Sequence, residues 1–172
     1  PKSIPVKIKP PVVLPVSKFS LKKATKRSFK TKKDLAYNWC QKYAKKKVSK
    51  DMLTYIVDHA MEYPRWKLLL SIMATESNFD PDARSHCNAL GLMQVNYPVW
   101  KDYFKLKSEA HIFDIEENIK HGREIFNMYY EKTKDIKLAL NRYAGESKNG
   151  AYQQRVMKKY DELNNYLNKK LN

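Results

Sequence analysis

Glu76 is the residue whose setting asks for a chemical explanation. It closes the run Trp66-Lys67-Leu68-Leu69-Leu70-Ser71-Ile72-Met73-Ala74-Thr75-Glu76, the most apolar helical stretch of the chain. Charged side chains are almost never fully buried unless paired. Near a helix C-terminus the macrodipole is negative and disfavours a carboxylate, and neighbours such as Ile72 and Met73 add a desolvation cost. Each effect pushes a carboxyl pKa upward, and a glutamate kept protonated near neutral pH is what general acid catalysis requires. On the exposed side of the last turn the same residue would cap nothing and catalyse nothing, so these residues alone leave both readings open. Asp80, Asp82 and Glu146 are the other carboxylates that acid–base chemistry could draw on: Asp80 flanks Pro81, the setting of a turn former, and Glu146 follows Gly145. His59, His86, His111 and His121 show no ligand spacing, so no metal is expected, and no cofactor is implied. The two cysteines, Cys40 and Cys87, are too few for a disulfide framework. One bridge or two thiols are both open.

The elements that would position these groups are mostly helices. Thr31 and Asp34 make a capping-box-like start, and Leu35, Trp39, Tyr43 and Val48 recur at near-helical spacing. A basic amphipathic helix over 32–47 is expected, with Lys42, Lys45, Lys46 and Lys47 on its exposed face. Ser49 is a good N-cap for a second helix from Lys50 to about Tyr63, with Met52, Tyr55, Ile56, His59 and Ala60 as its apolar face and Pro64 at its end. Residues 65–77 are apolar nearly all round, which predicts a buried helix. It must stop before Asn78-Phe79-Asp80-Pro81-Asp82, which is turn chemistry. Asn88, Gly91 and Pro98 make 83–98 a loop with a small β-hairpin. Ile119, Ile125, Phe126, Tyr129 and Tyr130 place a long helix over 116–132, and two more are expected over 136–143 and 152–171, split by a loop at 145–150.

Composition narrows the class. A chain of 172 residues with 42% hydrophobic content can pack one domain with an arm. No apolar stretch approaches the roughly 20 residues that span a bilayer, so an integral membrane protein is not expected. The net charge of +16 is uneven: residues 1–50 carry 16 of the 34 basic residues and one of the 18 acidic ones. The arm is therefore net +15, and the remainder is net +1. Residues 1–16 hold Pro1, Pro5, Pro10, Pro11 and Pro15, which excludes a helix and predicts extended chain. Such a basic arm suits a polyanion or a larger assembly, or simply solubilises the chain. Nucleic acid ranks last, because no RRM, zinc-finger or homeodomain pattern accompanies the charge.

The segment Glu76-Ser77-Asn78-Phe79-Asp80-Pro81-Asp82-Ala83-Arg84-Ser85, followed by Ala89-Leu90-Gly91-Leu92-Met93-Gln94-Val95, closely resembles the signature of the soluble lytic murein transglycosylases, E-S-x-F-x-x-x-A-x-S and then G-A-x-G-L-M-Q. A third block of that family is similar to Phe113-Asp114-Ile115-Glu116-Glu117-Asn118-Ile119-Lys120-His121-Gly122. A fourth, usually A-Y-N-A-G, resembles Arg142-Tyr143-Ala144-Gly145. The four blocks cover roughly 52–165. Three positions depart from the pattern: Asn88 replaces a glycine, Ala144 an asparagine, and Ile125 stands where tyrosine is frequent.

The resemblance implies a mainly α, lysozyme-like (SLT, goose-lysozyme-like) domain with a small β-hairpin over 49–172. Before it would lie an extended Pro/Lys-rich arm over 1–30 and the basic helix over 31–48. It further implies cleavage of the MurNAc–GlcNAc β-1,4 bond of peptidoglycan, with Glu76 as sole acid/base and a 1,6-anhydroMurNAc product. Ser85, Gly91, Met93, Gln94 and Tyr143 would contact or frame the substrate. Ser85 matches the serine near the reacting hydroxyl, and Gly91 would let backbone approach the sugar. Met93 would offer an apolar contact and Gln94 a two-sided amide. Tyr143 matches the tyrosine that orients the glutamate. Asn118 and Gly122 would support the site structurally. The expected partner is the peptidoglycan glycan strand, in a bacterial periplasm or cell envelope or on a phage virion, with residues 1–50 available to a larger assembly. Two other readings stand beside this one: a glycan-binding scaffold, and a hydrolytic muramidase using Glu146 or Asp80.

Overall fold

A computed structural model describes residues 32–145 and 150–171. The arm over 1–30 and Glu146 lie outside the described residues. Helix α1 runs over 32–41. It is followed by α2 (Lys50–Met61), α3 (Trp66–Glu76), a hairpin of β1 (Ala89–Leu90) and β2 (Val95–Asn96), the short α4 (Tyr97–Trp100) and α5 (Ala110–Phe113), the long α6 (Ile115–Thr133), α7 (Ile136–Tyr143) and α8 (Ala151–Leu171). The fold is mainly α with one two-stranded antiparallel sheet, in which Ala89 pairs with Asn96 and Leu90 with Val95. The two four-residue helices were not anticipated. Asn96 starts the first by accepting from the Val99 amide at 3.3 Å, a cap that sequence periodicity over so short a piece does not reveal.

Helix α3 is the centre of the core. Seven consecutive residues, Leu68 to Ala74, are buried, and α3 packs chiefly against α8. Around it lie Trp39 of α1, Ile56 and Val57 of α2, Phe126 of α6, Leu140 of α7 and Val156 of α8. A smaller cluster, Leu90, Val95, Ile112 and Ile125, sits under the hairpin. Side-chain caps also start three of the longer helices: Ser49 accepts from Met52 at 3.2 Å, Asp114 from Glu117 at 3.0 Å and Asp135 from Leu138 at 2.9 Å.

Two expectations need correction. The first helix ends at 41, well before 47–48. Its continuation would stack three lysines on consecutive positions, whereas the observed turn gives Lys45 and Lys47 a shared partner in Asp80, at 2.9 and 2.8 Å. Ala36, Trp39 and Cys40 on the inner face of this amphipathic helix have no exposed surface. The buried face of α2 is Leu53, Ile56, Val57 and Ala60, rotated from the expected one. Tyr55 is 45% exposed, and both Tyr55 and His59 turn their polar ends to Glu116 at the rim. Leu53 and Val57 have no such ends to satisfy and take the interior. Cys40 and Cys87 are both free; the first is buried, the second exposed.

Because Trp39 is fully buried, Trp39→Ala is expected to destabilise the fold by about 3–5 kcal/mol in urea denaturation. A loss below about 1 kcal/mol would show that α1 is not docked in the core.

Candidate active site

The end of α3 is built to hold a carboxyl group out of water. The Ser77 amide donates to the Met73 carbonyl at 3.1 Å, closing the last turn. The Ser77 hydroxyl reaches the Leu92 carbonyl at 2.8 Å, tying α3 to the hairpin loop. Asn78 and Phe79 then both take left-handed backbone, with φ of 53° and 60°. For a bulky residue such as Phe79 that costs on the order of 1–3 kcal/mol, offset by complete burial of its ring.

Glu76 is half-buried between α3, the end of α7 and the first turn of α8. Burial pushes its carboxyl from the usual 4.5 up to about 7, against the opposing pull of a hydrogen bond from Tyr152 and the charge of Arg155. The Tyr152 and Tyr143 rings stack with centroids 6.5 Å apart. Burial, and then the negative charge of Glu76, pushes both phenols well above their ordinary range. Both tyrosines therefore stay neutral hydrogen-bond donors. The Arg155 guanidinium lies 5.8 Å over the Tyr152 ring. Tyr152 and Arg155 were not among the expected site residues. The only signal in the sequence was their i, i+3 spacing at the start of the last helix.

Tyr143 was expected to orient the glutamate. Its hydroxyl instead donates to the Met93 carbonyl at 2.6 Å, and the hydrogen bond to Glu76 comes from Tyr152. Met93 itself is fully buried and lies against Gly122, where a Cβ would fall 2.6 Å from that of Met93. Gly91 has φ +73°, and a Cβ there would stand 2.2 Å from the Asn118 amide nitrogen. The close approach that Gly91 permits is thus to Asn118 within the fold.

Asn118 pins the loop with its whole side chain. Its amide donates to Leu90 and Ile112 carbonyls at 2.9 and 2.7 Å and accepts from the Met93 amide at 2.8 Å. The Gln94 amide nitrogen bridges the Ala83 and Gly91 carbonyls, and the Ser85 hydroxyl accepts from the Cys87 and Ala89 amides. Both residues rim the same loop, half-buried. Asn88 carries the left-handed φ of 57° expected of a glycine substitute.

Asp80 is 3% exposed and faces Lys45 and Lys47. Burial alone would raise its carboxyl; hydrogen bonds from Lys47, Lys45 and the Asp82 amide outweigh that and hold it below the usual carboxylate range. It is a turn residue locked in ion pairs, as its place beside Pro81 suggests. Asp82 is exposed and lies 3.6 Å from Lys47. Among the described residues, no cluster of His, Cys, Asp and Glu could hold a metal ion.

Residues 54–165 match the family model for the transglycosylase SLT domain. Membrane-bound lytic murein transglycosylase C of Sodalis glossinidius (strain morsitans) is 48% identical over 62 residues, covering 32% of this chain and 17% of that protein. The protein of the same name from Yersinia pestis (strain Pestoides F) is 50% identical over 62 residues with the same coverage. The match therefore spans about a sixth of the length of these curated relatives. No solved structure matches the chain.

Two outcomes follow from the buried carboxyl. Tyr152→Phe removes a hydrogen bond that favours the ionised form, so the Glu76 titration midpoint, read by carbon-13 NMR of the carboxyl, should rise above about 7. The folded state also keeps the Glu76 proton that the unfolded chain loses above 4.5. The stabilising contribution is thus complete below pH 4.5 and is lost as pH rises through about 7. Glu76→Gln should match the parent near pH 4 and exceed its stability near pH 8 by up to about 3 kcal/mol, measured by urea denaturation at both pH values.

Proposed function

The chain belongs to the transglycosylase SLT domain family, and from that premise we propose that it is a peptidoglycan lytic transglycosylase in which Glu76 alone serves as acid and then base. The observation that carries this reading is the place of Glu76, half-buried at the end of α3 beside Tyr152 and Arg155, where burial pushes its carboxyl up to about 7. The substrate is the glycan strand, cut at the MurNAc–GlcNAc β-1,4 bond, and the site of action is the bacterial envelope. No helix among the described residues is long and apolar enough to cross a membrane.

Neutral Glu76 donates its proton to the glycosidic oxygen as the C1–O bond breaks, and GlcNAc leaves as an alcohol. The C6 hydroxyl of the same MurNAc attacks its own C1, and the Glu76 carboxylate takes the hydroxyl proton. The acid is regenerated, a 1,6-anhydro ring is formed, and no water is consumed. An intramolecular nucleophile makes a second carboxylate unnecessary, because positioning replaces activation of water. The groups that bear on the ionisation of Glu76 are Tyr152 and Arg155. The ionised form of Glu76 left by the first transfer is stabilised by the Tyr152 hydroxyl and the Arg155 charge. Without them burial would make the acid too weak to give up its proton.

Digestion of purified peptidoglycan, read by mass spectrometry, tests the proposal. Anhydro-ended muropeptides are expected from the protein and none from Glu76→Gln, a loss of at least about 100-fold. The rate should fall as pH rises through about 7, where the acid loses its proton. Reducing ends heavier by one water would make the enzyme a hydrolase. Binding without any product would make it a glycan-binding scaffold.

A further inference from the structure

Lys45 and Lys47 lie outside the region that matches the family, residues 54–165, yet both side chains end on the turn that follows Glu76. Lys45 Nζ is 2.9 Å from one Asp80 carboxylate oxygen, and Lys47 Nζ is 2.8 Å from the other. The Lys45 amide also donates to the Asn78 carbonyl at 3.1 Å. Asp80 turns inward to accept the Asp82 amide at 3.0 Å. Its side chain is 4% exposed, against 46% and 53% for the two lysines. Two chain segments thus meet at one buried carboxylate, four residues after Glu76. The strap is itself anchored: Trp39 is buried in the core, and the Tyr43 hydroxyl donates to Glu162 of α8 at 2.5 Å.

We propose that the strap at 42–49 is a positioning device for the catalytic glutamate, with Lys45 and Lys47 acting through Asp80 to set where α3 ends. The argument is mechanical. Asn78 and Phe79 hold unfavourable left-handed backbone side by side, so the turn relaxes unless both of its ends are held. One end is held by Ser77 on the Leu92 carbonyl. The other is held through Asp80, whose buried charge needs the two ammonium groups, together with the Lys45 amide on the Asn78 carbonyl. Relaxation of this turn would rotate the last turn of α3, exposing Glu76 to water and moving it from Tyr152. A displacement of about 1 Å at a reacting group can cost about 100-fold in rate. The proposal rests on Glu76 being the acid.

The test uses the full chain and a triple variant, Lys45→Met, Lys47→Met and Asp80→Asn, which strands no buried charge and keeps an amide oxygen for the Asp82 N–H. With folding checked by thermal denaturation, kcat on peptidoglycan should fall about 10- to 100-fold with KM changed less than about twofold. The Glu76 carbon-13 midpoint should move from about 7 toward 4.5 by half a pH unit or more. Lys45→Arg with Lys47→Arg should restore both readings. A folded triple variant with the parent's kcat and midpoint overturns the proposal, whatever its melting temperature. Should the triple variant not fold, Lys47→Met alone, which leaves Lys45 on Asp80, must shift the midpoint in the same direction, and an unchanged midpoint there is equally fatal. If Glu76→Gln proves as active as the parent, the catalytic reading fails, while the NMR midpoint still decides the strap.

Discussion

The structure is organised around one constraint: a helix buried on every side must end on an ionisable group. Leu68 to Ala74 leave no face of α3 for solvent, so Glu76, two residues on, emerges half-buried beside Tyr143 of α7 and Tyr152 of α8. Desolvation there weakens the acid, and the Tyr152 hydroxyl and Arg155 charge limit how far. The opposition between these effects leaves a carboxyl that ionises close to neutrality, where a proton donor that must later accept is most useful.

The residues of the hairpin loop are tied into the fold: Gly91, Met93 and Gln94 meet Asn118, Gly122 and the carbonyls of Ala83 and Gly91. Asn118 uses both amide protons and its oxygen on backbone groups that would otherwise be buried without partners. A hairpin of two residues per strand is too small to stand alone. The asparagine and the Tyr143 hydroxyl on the Met93 carbonyl supply what the sheet cannot. Side chains from α6 and α7 thus complete the hydrogen bonding of the loop.

Charge is distributed by the same logic. Lys33 meets Asp58, Lys42 approaches Glu162, and Lys45 and Lys47 share Asp80. Several of the lysines that read as a basic outer face are thereby committed to internal partners, two of them to a carboxylate with almost no access to solvent. A run of like charges in sequence is a weak guide to the surface potential, because ion pairing depends on what the fold brings opposite.

Much was legible in one dimension. Apolar spacing located the five longer helices from α2 onward to within a few residues, because burying a face demands a period that repetition makes visible. The unbroken apolarity of 65–77 and the turn chemistry of Asn78-Phe79-Asp80-Pro81 placed Glu76 at the end of a buried helix. The four blocks of family resemblance named its neighbourhood. Sequence did not show that Leu53 and Val57 would displace Tyr55 and His59 from the core, that α1 would stop at 41, or that Tyr152 would supply the hydrogen bond assigned to Tyr143. Nor did it show that Asp80 would be consumed by lysines 33 to 35 positions earlier. Periodicity is a local property, carried by each segment's own need to hide apolar area. The choice of partner for a polar group depends on which segments meet, and that is decided only when the helices pack.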